Sequence, residues 1–143
     1  LFRSAFLLRL FGAKIGKNVV IRPSVKITYP WKLTLGDYAW VGDDAVLYTL
    51  GEITIGANSV VSQKCYLCTG SHDFMSQHFD ITASPIVIGE KCWLATDVFV
   101  APGVSVGDGT VVGARSSVFK SLPANKICRG NPAVVIRERV ETD

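Results

Sequence analysis

Residues 88–118 read IGEKCW LATDVF VAPGVS VGDGTV VGARSS V, with an aliphatic residue at the head of every six. Ile88, Leu94, Val100, Val106, Val112 and Val118 share one phase, denoted i. A helix repeats every 3.6 residues and a strand every 2, and neither sustains a six-residue period over this distance. Working outward, the phase returns as Ile15, Ile21, Ile27, as Leu35, Val41, Leu47, and as Ile55, Val61, Leu67. Position i+4 is mostly small, as at Ala39, Ala45, Ser59, Cys65, Cys92, Thr110 and Ser116. Position i+1 is often Gly (Gly16, Gly36, Gly56, Gly89, Gly107), which is expected to supply a positive φ at a tight corner. Three hexads make one triangular coil of roughly 18 residues, and stacked coils bury i and i+4 in a narrow prism. The fold expected is an all-β parallel β-helix of about five coils. The first two coils carry extra residues around Tyr29-Pro30-Trp31 and Gly51-Glu52.

The phase has one long break. Between Leu67 and Ile88, residues 71–85 (SHDFMSQHFDITASP) do not fit, and they form an excursion loop holding both histidines, His72 and His78. A long loop in a compact repeat is usually functional or disordered. Residues 1–12 read as a short amphipathic helix with Phe2, Ala5, Phe6, Leu8 and Phe11 on its apolar side, capping the open edge of the first coil. Residues 119–136 are expected to leave the prism through Pro123 and Gly130-Asn131-Pro132. The chain is read as one domain, 1–143, with the β-helix at 15–118 and a C-terminal segment at 119–143.

Composition excludes other classes. The chain has 143 residues, 48% hydrophobic and 19% charged, so global disorder is excluded. A net charge of +3 does not argue for nucleic acid. Thirteen Gly and one Met speak against a helical bundle. The apolar opening is broken by Arg3 and Arg9 and falls far short of the ~20 residues of a membrane span. It lacks a signal-peptide cleavage pattern, and four sparse cysteines suit a reducing compartment, so a cytoplasmic location is expected. The first residue is Leu rather than Met, so further residues are expected before it.

Phase also sorts single residues. Cys65 and Cys92 at i+4 are small core fillers, whereas Cys68 and Cys128 fall outside the rule. His72 lies at i+5, which does not point into the prism, so a core histidine is disfavoured. His78 reads as a surface residue. Other i+5 positions, among them Trp40, Val60, Tyr66, Trp93 and Phe99, are apolar yet should face outward. Such surface is expected to be covered, by terminal segments or by other subunits. An odd-sided prism suits threefold packing, so a homotrimer is expected.

The sequence resembles the hexapeptide-repeat acyltransferases that fold as left-handed β-helices, and most closely the colanic-acid type of exopolysaccharide sugar O-acetyltransferases. The resemblance runs from about Leu8 to Arg137. It rests on ITYPWKL at 27–33, CTGSHD at 68–73, PIVIG at 85–89, APGVSVG at 101–107, VGARS at 112–116 and GNPA at 130–133, in that order. It implies acetyl transfer from acetyl-CoA to a sugar or lipid-linked sugar hydroxyl in a ternary complex, with no metal. It implies His72 as general base, since a hydroxyl attacks a thioester poorly until a positioned imidazole takes its proton. Asp73 is a candidate to orient His72 or to bind a sugar hydroxyl. The oxyanion is expected to meet backbone N–H groups. The pantetheine arm of the donor would run between subunits along Trp93, Ala95 and Thr96, with main-chain groups at Gly113 and Ala114. Lys120 and Arg137 would meet its phosphates. Phe119-Lys120-Ser121, Val134, Arg129 and Arg115 depart from the usual pattern, and Arg129 or Arg115 can compensate. Tyr29, Trp31 and Tyr48 are candidate acceptor-binding aromatics.

Other readings stay open. A zinc carbonic anhydrase on the same prism needs three His, and the chain has two. A non-catalytic β-helix predicts an outward polar ladder in place of the aliphatic and aromatic rows. An N-acetyltransferase acting on a nucleotide-linked amino sugar would use the same histidine. Membrane contact through the N-terminal helix is an open alternative and is not predicted.

Overall fold

The structure, a computed structural model, describes residues 2–142 and the side chains of residues 5–142. Five coils stack with three parallel faces, as the hexads require. The first face pairs Lys14–Ile15, Leu33–Leu35, Ile53–Ile55, Ile86–Ile88 and Ser105–Val106 in that order. The second face begins at Val20–Ile21 and runs through Trp40–Val41, Val60–Val61, Trp93–Leu94 and Val111–Val112. The third runs from Lys26–Ile27 through Val46–Tyr48, Tyr66–Cys68 and Phe99–Val100 to Ser117–Val118. Each i residue pairs with the i residue of the next coil, for example Leu94 with Val61 and Val112.

The phase sets the core. From Ile21 onward every i residue of the five coils is buried except the half-buried Ile27, and so is every i+4 residue from Ala39 to Ser116 except Gly51 and Ser71, which fall at the irregular corners. Full burial of a Leu or Ile side chain is worth roughly 1.5–3 kcal/mol. The extra residues of the first two coils lengthen the next first-face strand to three. Leu33 and Ile53 thereby add a second inward side chain.

The i+1 glycines have a different cause from the expected one. Their φ is not positive. A Cβ on Gly36 would stand 2.5 Å from the Ala57 nitrogen, and one on Gly107 2.5 Å from that of Ala124. They are glycines because successive corners stack backbone on backbone. The left-handed residue lies at i+3 instead, as at Asn18, Tyr38, Asp44, Asn58, Lys64, Lys91, Asp97 and Arg115.

The stack also continues beyond residue 118. Leu122 bridges to Val106, and Lys126–Gly130 pairs in parallel with Val111–Val112. Leu122 and Cys128 are buried six residues apart, so the hexad persists in a partial sixth coil. Cys128 is thus a core residue at position i. The exit comes at Gly130 rather than Pro123, and Ala133–Glu138 folds back antiparallel on Lys126–Gly130.

At the other end the helix Phe2–Leu10 covers the first coil. Gly12 (φ +96) ends it, with the Ala13 N–H bonded to the Leu8 carbonyl. Its apolar side is narrower than expected. Ala5 is buried and Leu8 packs on the core, but Phe6 and Phe11 are exposed, and the side chain of Phe2 lies outside the described residues. The tip of the prism offers room for one short stripe only.

Candidate active site

The excursion is a hairpin rather than an open loop. Gly70–His72 pairs antiparallel with Ile81–Ala83, leaving the edge between the third and first faces at the third coil. Thr69 anchors its root while buried. Its hydroxyl accepts from the Gly51 N–H (2.8 Å) and donates to the Tyr48 carbonyl (2.5 Å). The Thr69 carbonyl accepts the Ser84 N–H at 2.9 Å. Cys68, half-buried beside it, donates its thiol to the Gly70 carbonyl.

His72 lines a cavity of about 230 Å³ with Tyr48, Leu50, Gly70, Ser71 and Ile81. Gly70 keeps this wall thin, since a Cβ there would stand 2.7 Å from Leu50 Cδ1. His72 Nδ1 lies 2.8 Å from the Phe79 carbonyl oxygen. A carbonyl can only accept, so Nδ1 carries the hydrogen and the neutral ring keeps its lone pair on Nε2. Phe79 itself is left-handed (φ +51). A phenylalanine held there stores local strain, as occurs at functional sites.

Asp73 does not orient His72. Its carboxylate accepts the Met75 N–H at 2.9 Å and closes the hairpin tip. The Nδ1 partner a carboxylate would supply is the Phe79 carbonyl. Of the three aromatics expected near the acceptor, Tyr48 lines the His72 cavity. Tyr29 and Trp31 stack at 4.9 Å on the same edge, two coils nearer the helix. Lys32 links the two levels, donating from Nζ to the Leu50 carbonyl at 2.6 Å. Leu50, Gly70, Ile81 and the Phe79 carbonyl escaped sequence reasoning, and only proximity to the broken phase marked them.

The candidate donor-binding residues gather on a different edge, between the second and third faces. Ala95 and Thr96 stack directly on Gly113 and Ala114, with the Ala95 N–H on the Val112 carbonyl and the Arg115 N–H on that of Thr96. Trp93 stands exposed beside them, its Nε1–H donating to Ser62 Oγ at 2.9 Å. Arg115 pairs loosely with Asp97 at 3.7 Å on this edge, and Arg129 lies against Gly113 one coil further. Lys120 follows Val118 at the His72 edge, two coils below the hairpin, and Arg137 lies in the final strand opposite Ile127. One protomer therefore keeps His72 and the Trp93 group apart, with the third face between them.

Burial pushes the Cys65 thiol up to about 11 and raises those of Cys92 and Cys128, so these three stay protonated core groups. Among the described residues no three His, Cys, Asp or Glu come together as a metal-ligand set. No helix among them is long and apolar enough to cross a membrane.

Residues 85–120 match the bacterial transferase hexapeptide (six repeats) family. The chain is 89% identical over 139 residues to a protein of Escherichia coli (strain K12) provisionally named colanic acid biosynthesis acetyltransferase WcaF, covering 97% of this chain and 76% of that one. The crystal structure of a maltose O-acetyltransferase from Clostridium difficile 630 superposes with a TM-score of 0.91 at 26% identity, over 98% of this chain and 76% of that one. A galactoside acetyltransferase in complex with coenzyme A gives a TM-score of 0.91 at 27% identity, over 97% and 71%.

Proposed function

The chain belongs to the hexapeptide-repeat acetyltransferases, and from that premise we propose that His72 is the base that activates a sugar hydroxyl in exopolysaccharide assembly. The enzyme is an acetyltransferase, and acetyl-CoA is its donor. One observation carries the role of His72: its Nδ1–H is committed to the Phe79 carbonyl, which leaves Nε2 as the acceptor nitrogen of a residue that lines the cavity. As the acceptor oxygen bonds to the acetyl carbonyl carbon, its proton passes to Nε2. When the carbon–sulfur bond breaks, the imidazolium returns that proton to the departing sulfur. Such a base is worth ~10²–10⁴ in rate. No free thiol is needed, and the three buried cysteines do not serve as nucleophiles.

The donor fits the edge at Trp93, Ala95, Thr96, Gly113 and Ala114. Small residues there leave room for a narrow chain beside an exposed indole. Arg115 and Arg129 stand on the same edge and Lys120 on the His72 edge that would meet it, so we assign these three to the phosphates ahead of Arg137, which lies in the final strand. Joining this edge to the His72 edge requires a second copy of the chain, which supports a homotrimer with sites between subunits; the sparse, unpaired cysteines suit the cytoplasm. The hairpin tip supports it too, since Phe74 and Met75 are 77% and 83% exposed. Tyr48 is the aromatic placed to meet the acceptor, while Asp73 holds the tip.

Acetyl-CoA-dependent release of CoA thiol is measured against sugars, nucleotide sugars, nucleotide amino sugars and lipid-linked sugars. The expected product is an ester, cleaved by hydroxylamine. An amide, stable to hydroxylamine, would assign an amine acceptor instead. Absence of acetyl-CoA binding would leave a non-catalytic prism.

A further inference from the structure

The net charge of +3 conceals an asymmetry. Residues 1–36 hold seven Lys and Arg and no Asp or Glu, a net +7, against −4 for the remainder. The coil stack turns this into geometry. Lys14 points outward on the first face, Lys17 stands at the next corner and Lys26 lies on the third face, so the first coil wears a basic collar. Among the described residues, Arg22 of this coil pairs with Asp43, but no carboxylate side chain lies within salt-bridge reach of Lys14, Lys17 or Lys26. Above the collar sits the helix, with Phe6, Leu7, Leu10 and Phe11 exposed by 64%, 50%, 69% and 61%. A single exposed apolar residue is ordinary, but four on nine residues of helix and its adjoining turn, ringed by cations, are not. Apolar side chains that insert among headgroups, framed by lysines that meet lipid phosphates, are the chemistry of an interfacial surface.

We propose that this end of the prism docks on an anionic lipid bilayer. Trp31 abuts the end of the helix at Gly12 and belongs to the same edge as the hairpin. His72 stands only two strand spacings below that coil, about 10 Å. The path runs from Trp31 and Tyr29 through Lys32 and Leu50 to the His72 cavity. Docking would set the transfer edge beside the headgroups and select acceptors carried on lipid, a consequence that rests on the acetyl-transfer reading. The docking itself rests on charge and exposure alone.

The test is co-sedimentation of the full chain with vesicles of phosphatidylcholine containing about a third phosphatidylglycerol, beside pure phosphatidylcholine. The protein is expected to pellet with the anionic vesicles only, and to be released as salt rises to several times the physiological level. Lys14→Glu with Lys26→Glu, and separately Phe6→Ser with Leu10→Ser, should each weaken binding by about tenfold or more. Both pairs should keep the far-ultraviolet spectrum and turnover of a soluble acceptor. Equal pelleting on neutral vesicles, or none on anionic ones, overturns the proposal. A loss of self-association in the serine pair, without any vesicle binding by the parent protein, assigns the surface to a second copy instead. Failed vesicle binding with intact soluble turnover removes docking alone, whereas intact binding without turnover removes the transfer reading alone.

Discussion

Each inward side chain of the prism has a counterpart one coil away, whereas the hairpin at residues 70–83 has no such neighbours. Leu67 is fully buried between Leu47 and Val100, in the same register above and below. His72, five residues on, is exposed and held by one hydrogen bond to a carbonyl seven residues away. Stability in a stacked repeat is a sum of nearest-neighbour terms spread over the coils. The hairpin contributes little to that sum and is free to carry polar and strained groups. In such a fold the chemistry sits where the period fails, and the period supplies the rigid edge from which it projects.

The largest effect should come from the prism. Leu67→Ala empties a site with no exposure and should cost about 3 kcal/mol, within the 2–5 usual for such a cavity, by urea unfolding. A loss under about 1 kcal/mol would mean the coils do not share a close-packed core.

Alkaline pH should separate the regions next. Burial raises the Cys65 thiol from 9.0 to about 11, so above pH 9 the folded protein holds a proton that the unfolded chain gives up. That stability is complete below about pH 9 and is lost as pH rises towards 11, by up to ~2.7 kcal/mol from Cys65. Cys65→Ala should flatten the fall in Tm between pH 8 and 11. An unchanged slope would contradict the buried, protonated thiol.

Thr69→Val tests the joint between the regions. It strands the Gly51 N–H, at a cost of about 1–3 kcal/mol, and should speed amide exchange at Ser84 and along the hairpin. Exchange unchanged in the hairpin would show that its root is held by something else.

Asp73→Ala should give the smallest change. It removes only the acceptor of the Met75 N–H, so stability should fall by about 0.5–1.5 kcal/mol and kcat by less than about threefold. A loss in kcat comparable with that of a general base would place the carboxylate at the reacting atoms instead.

The prism was legible because one rule governs it. Fifteen i positions named from the sequence lie on its walls, and the break at residue 71 marked the hairpin one residue after its first strand begins. The rule failed where geometry depends on the neighbouring coil. Position i+1 needs glycine to let the next corner approach, while the left-handed turn falls at i+3, on residues as varied as Tyr38, Lys64 and Arg115. It missed the partial sixth coil because Leu122 and Cys128 follow a corner of irregular length. Within the hairpin, the residue type of His72 marked its chemistry, but its Nδ1 partner is a main-chain carbonyl, which no side-chain pattern reveals. For the same reason the orienting role expected of Asp73, adjacent in sequence, falls to the backbone of Phe79.

The most direct measurement takes kcat and unfolding free energy on the same preparation of His72→Ala. The variant should have kcat lower by at least about a hundredfold at similar KM, with stability within about 0.5 kcal/mol of the parent protein. Full turnover by the variant, or an activity loss matched by a loss of folding, would contradict the division between a stable prism and a catalytic hairpin.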